Sequence, residues 1–114
     1  MAITITDMVA PNTAYTPSAT TVAAAGSDTI DASNLKDHSL LIMIENGTTD
    51  TEATVTIAAG AGSESTLGAL AVTVAASATK VVTLEGARFK DADGDISVAV
   101  ASADCNISAI ELPY

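Results

Sequence analysis

The chain has 114 residues, with 14 acidic side chains against four basic ones, a formal charge of −10 and a single cysteine. That length holds one hydrophobic core and no second one, and the charge opposes a sequence-independent grip on nucleic acid, which needs Lys and Arg to replace counterions. One cysteine excludes an internal disulfide and any multi-cysteine metal site, so Cys105 is expected to pack as a small hydrophobe. Apolar residues make up 48% of the chain but aromatics only 3%. The core must therefore be built from Val, Ile, Leu and many Ala, whose methyls gain little on burial, and added stability from partners is expected.

In chain order, Met1–Asp7 lacks the basic and apolar regions of a secretory signal, and no apolar run approaches the ~20 residues needed to span a bilayer. A soluble protein made in the cytoplasm, with no membrane partner, is expected. Ile3 and Ile5 alternate with Thr4 and Thr6 in a short opening strand. Pro11 and Pro17 then bracket an extended arm, because each removes a ladder donor and restricts the residue before it. Residues 1–17 are thus read as strand and arm, and 18–114 as a single domain. An edge strand is expected around Thr20–Ala24, a turn at Gly26-Ser27, a short strand or turn at Asp28–Asp31, and one helical turn through Leu35 capped by Asp31 or Ser33. Asn34–His38 is a polar connector. Leu40–Ile44 is the most apolar run and reads as a strand covered on both faces, one by the core and the other by a loop, the N-terminal arm or a second subunit. Asn46-Gly47 is a strong turn signal because both residues tolerate positive φ.

Val55 and Ile57 alternate with Thr54 and Thr56, and Gly60–Thr66 reads as a flexible loop, small, polar and long for a hairpin. From Leu70 to Val100 period-two alternation recurs three times, broken at Ser77-Ala78 and at Asp91–Gly94, which predicts antiparallel strands joined by tight turns. Residues 106–112 close the sheet. Some eight short strands and no long helix predict an all-β protein, an antiparallel β-sandwich of jelly-roll or immunoglobulin-like type, with a small closed β-barrel as the alternative.

Chemistry-bearing patterns are sparse. Asp91, Asp93 and Asp95 surround Gly94 and superficially suit Ca²⁺, but the twelve-residue loop pattern is missing and Asp-Gly is ordinary turn chemistry, so turn is the preferred reading. His38 is the sole histidine and no serine sits in a nucleophile-elbow pattern. Gly60-Ala61-Gly62 lacks the Lys and helix of a phosphate loop. No Trp is present to wall a sugar cleft. These features predict a protein that is not an enzyme and needs no cofactor.

The runs Leu67–Val74, Ala78-Thr79-Lys80-Val81-Val82, Glu85-Gly86-Ala87-Arg88-Phe89-Lys90, Asp93-Gly94 and Ile110-Glu111-Leu112-Pro113 carry a resemblance across roughly the last half of the chain. They resemble small virion proteins of the head-decoration or cement type, encoded beside the capsid genes of tailed bacteriophages. Ser39–Gly47 is similar to a further strand of that family. Ala69 stands where the family has an acidic residue, and Ser77 where it has a turn glycine. The resemblance implies a β-rich virion protein that binds the major capsid protein on the outside of the assembled shell and stabilises it, commonly as a homo-oligomer, trimers included.

Expected contact regions are residues 4–16, with Thr4, Thr6, Pro11 and Tyr15, and the loop containing Gly60, Gly62 and Glu64. Arg88 and Lys90, close to Lys80, are a candidate cationic edge, with scattered solubilising charges that protect a sheet edge as the preferred reading. The alternative from another class is an adhesion module for a saccharide or host protein, using Ca²⁺ at Asp91, Asp93 and Asp95 or a cleft with Tyr15 and Tyr114.

Overall fold

The computed structural model describes residues 3–10, 12–35 and 39–113. Among them the alternating β-branched runs form β1 (Ile5–Asp7), β2 (Ala19–Val22), β3 (Ser27–Asp31), β4 (Leu40–Asn46), β5 (Ala53–Ile57), β6 (Leu70–Val74), β7 (Thr79–Leu84), β8 (Asp95–Ala101) and β9 (Cys105–Glu111). A four-residue helix, α1 (Gly86–Phe89), and a 3-10 turn at Ser65–Leu67 complete the chain. In the first sheet β4 separates β7 from β9, and the far side of β9 is shared by two short strands laid end to end. There β2 runs antiparallel to Cys105–Ser108, and β1 runs parallel to Ala109–Glu111. The second sheet is antiparallel throughout, in the order β3, β8, β5, β6.

The antiparallel pairs nest, β5·β6 within β4·β7, within β3·β8, within β2·β9. One long ribbon is thus wound over itself, which is the jelly-roll form of the sandwich. Both sheets stay open, so no closed barrel forms. Residues 3–7 belong to this body: Ile3 is in the core, its N–H donates to the Thr29 carbonyl at 2.8 Å, and β1 is part of the sheet.

The ribbon changes sheets at its corners. Asn46-Gly47 ends β4 as expected, but the connection leads to β5 in the other sheet, and Asn46 has its side chain buried. Its Nδ2 donates to the carbonyls of Thr51 (2.8 Å) and Val74 (3.1 Å). Its Oδ1 accepts from Thr48 N–H (3.0 Å) and Thr48 Oγ1 (2.7 Å). Asn is there for its four-way side chain, which clasps the corner between sheets.

Likewise β6, β7 and β8 alternate between sheets instead of forming consecutive hairpins. Ser77 adopts φ 59° at the β6–β7 corner and donates its N–H to the Thr48 carbonyl at 2.8 Å. The segment after β3 is a turn rather than a helical one: Asp31 Oδ1 accepts from Ser33 N–H and Oγ, and Leu35 N–H reaches the Ala32 carbonyl. Lys36, Asp37 and His38 lie outside the described residues.

Ile30, Ile42, Ile44, Ile57, Ile96 and Ile107 fill the space between the sheets with Val55, Val74, Val98 and Val100, and Phe89 enters from α1. Each such aliphatic chain contributes about 1.5–3 kcal/mol on burial. Within the chain one face of β4 meets the core: Leu40, Ile42 and Ile44 are buried, whereas Leu41 and Met43, on the face expected to meet a loop, the arm or a second subunit, point outward and are half-buried.

Candidate functional site

The loop between β5 and β6, expected to be flexible, is bonded to α1. Gly60 N–H donates to the Arg88 carbonyl (2.8 Å), Ala61 N–H to Lys90 (2.8 Å) and Glu64 N–H to Ala87 (3.1 Å). A Cβ on Gly60 would lie 2.0 Å from the Lys90 carbonyl oxygen, and one on Gly62 2.5 Å from that of Ala87. The glycines are present because the backbone of α1 occupies the space a side chain would need. Glu64 remains exposed.

Nor do Arg88 and Lys90 form a cationic edge. Arg88 Nε donates to the Gly68 carbonyl (3.0 Å), Nη2 to that of Ala69 (3.3 Å), and the guanidinium lies 4.8 Å from the Phe89 ring centre. Lys90 Nζ donates to the Leu35 carbonyl at 2.8 Å. Both cations satisfy backbone carbonyls at one end of the sandwich, and Lys80 stands apart, exposed on β7.

The N-terminal segment behaves differently. β1 and β2 lie on one edge of β9, so the chain between them closes into a loop over residues 8–18. Met8 N–H donates to the Glu111 carbonyl (2.9 Å), Ser18 N–H to Thr6 Oγ1 (3.0 Å) and Ala10 N–H to Tyr15 Oη (3.1 Å). Tyr15 is half-buried by this clasp and Thr4 is exposed; Pro11 lies outside the described residues. Val9 is 74% exposed at the loop's start, beside a groove of about 180 Å³ lined by Asp7, Met8, Ser39, Glu111, Leu112 and Pro113. Sequence reading named the segment but not Val9, whose only signal is a large aliphatic outside any alternation.

Asp91–Asp95 is a turn: Asp91 Oδ1 accepts from the N–H groups of Asp93 (2.9 Å) and Asp95 (3.0 Å), and Gly94 sits at φ 84°. Among the described residues no group of His, Cys, Asp and Glu is arranged to hold a metal ion. The Asp95 carboxyl is held above its ordinary value by partial desolvation first, then by the charges of Asp91, Asp31 and Asp93. Asp31 lies directly across from it in the β3·β8 register. Asp31 itself is held below its ordinary value by the hydrogen bonds from Ser33. Cys105 is buried, and desolvation followed by the Asp104 charge pushes its thiol up, which keeps it protonated and unreactive. Tyr114, the adhesion reading's second aromatic, and His38 are outside the described residues.

The two sheets present unlike outer faces. Opposed residues in an antiparallel pair point the same way, so the first sheet turns outward Val81 and Thr83, Leu41 and Met43, and Ile110. The second turns outward Ser27, Thr29, Ser97, Ala99, Thr54, Thr56, Ala71 and Thr73, with no large apolar side chain. The architecture is therefore that of a jelly-roll module with a filled interior and unequal surfaces. Comparison with family models, curated proteins and solved structures finds no match.

Proposed function

We propose that this chain is a structural virion protein that binds the outer surface of an assembled bacteriophage capsid, with the major capsid protein as partner, and stabilises the shell. The observation that carries this reading is the 8–18 loop. It presents Val9 to solvent from a base fixed at both ends to β9, so docking buries apolar surface without first ordering a free arm. Burying such a side chain contributes about 1.5–3 kcal/mol per copy. A ligand that binds the assembled lattice alone stabilises it by RT ln(1 + [L]/Kd) at each site. The fold does not choose the role, since jelly rolls serve in capsids and in lectins. The resemblance of residues 67–113 to head-decoration proteins supports the capsid.

The test mixes purified protein with immature and with mature, expanded capsids and follows co-sedimentation. Binding to the expanded form, weakened by Val9→Asp, is the expected result. Binding to neither form removes the proposal.

A further inference from the structure

The acidic residues are unevenly spread, and the structure puts their gap on one side of the sandwich. From Ser65 to Leu84 there is no Asp or Glu, and Lys80 is the one charged residue in the interval. This interval is β6, β7 and the corner between them. Among the described residues each strand pairs on one side alone, β6 with β5 and β7 with β4, so together they form an open flank with two unpaired strand edges. Leu67 and Val81, 62% and 56% exposed, lie on this stretch, with half-buried Leu70, Val72, Ala78 and Val82 beside them. The opposite edges are blunted. β1 and β2 are short and interrupted by the 8–18 loop, and the outer side of β3 is occupied where Ile3 donates to Thr29.

We infer that the β7 edge is a self-association surface whose occupant is β7 of a second copy of this chain, paired antiparallel about Val81. Charge selects this occupant. A molecule of formal charge −10 repels its own copies wherever acidic faces meet, and this flank is where two copies approach with no acidic residue between them. Geometry selects the strand. β7 is a six-residue edge in unbroken register with β4, with neither bulge nor proline.

A two-fold axis through Val81 keeps the outward faces of both copies on the same side. It extends the cross-strand row Met43–Val81 into Val81–Met43 of the second copy, and sets Thr79 opposite Thr83 and Lys80 opposite Val82.

The test is the mass of the full chain in solution by sedimentation equilibrium across concentrations, with variants at exposed positions. The chain is expected at twice its 11.3 kDa. Val81→Lys is expected to raise the dimer dissociation constant on the order of tenfold or more, because like charges are brought face to face across the axis. Melted at concentrations low enough to dissociate both proteins, it would match the parent, and Val9→Lys on the far side would leave the dimer intact. Val81→Cys is expected to cross-link under mild oxidation, since opposed Cβ atoms in such a pair lie roughly 5 Å apart. Thr83→Cys, facing Thr79, would not, and buried Cys105 does not compete. A monomer at every concentration, a trimer, a Val81→Lys dimer of parental strength, or failure of Val81→Cys to cross-link would each overturn the inference. All of these readouts are independent of capsid binding.

Discussion

The 58–69 and 8–18 loops carry the same sequence signature of small, polar, Gly- or Pro-punctuated residues outside the strand pattern, yet the fold treats them oppositely. The first spends its backbone N–H groups on carbonyls of residues 87, 88 and 90, and is packed so closely that two of its positions admit no Cβ. The second is tied mainly by two side-chain oxygens, Thr6 Oγ1 and Tyr15 Oη, and leaves Val9 in solvent. Composition says where a loop is; its hydrogen-bond partners decide whether it belongs to the body or to the surface.

Substitutions that separate these two kinds of loop can be ranked by expected effect. Gly60→Ala drives a methyl into the Lys90 carbonyl and should cost about 3 kcal/mol, at the upper end for overpacking, seen as a fall in denaturant midpoint at unchanged m-value. Arg88→Ala removes two bonds to carbonyls and the stack on Phe89. It should cost about 2 kcal/mol by the same measurement, whereas a free cationic edge would give nearly none. Tyr15→Phe deletes one hydrogen bond of the other loop, so about 1 kcal/mol or less is expected, with faster hydrogen exchange confined to Ala10 and its neighbours.

The smallest effect concerns the turn that follows α1. Asp95 is raised above its ordinary 3.8, so the folded state holds its proton to higher pH than the unfolded chain does. Its ionisation therefore lowers stability above the raised value, and that loss is recovered as pH falls toward 3.8. Asp95→Asn should melt slightly higher than the parent at pH 7, and the gain should vanish on acidification. Asp31, lowered by Ser33, works the other way, stabilising above 3.8 and losing that contribution as pH falls below it. A melting series from pH 7 to 3 on Asp95→Asn and Asp31→Ala checks both signs.

The strands were legible because alternation is local: Val55–Ile57, Val72–Val74 and Ile96–Val100 each declare a buried face without reference to anything distant. What the sequence hid was which strands meet. Asn46-Gly47 reads as a turn, but one of the bonds that hold Asn46 there goes to the Val74 carbonyl, 28 residues away. Gly60 and Gly62 read as freedom because nothing near them shows that α1 lies against them. Arg88 and Lys90 read as surface charge because their acceptors, at Gly68, Ala69 and Leu35, come from other parts of the chain. The open flank at β6 and β7 did have a signal, a long interval without acid in an acidic chain, but it became a surface only once both strands were placed at sheet edges.

The nesting of the strand pairs also sets an order of events in time. β5 and β6 close a short connection, while β2 must wait for β9 across most of the chain, and closure entropy grows with the span bridged. Such distant pairing makes folding slow for a protein of this size. The ribbon is expected to zip from its inner hairpin outward, so changes in β5 should slow refolding while changes in β2 or β9 chiefly hasten unfolding.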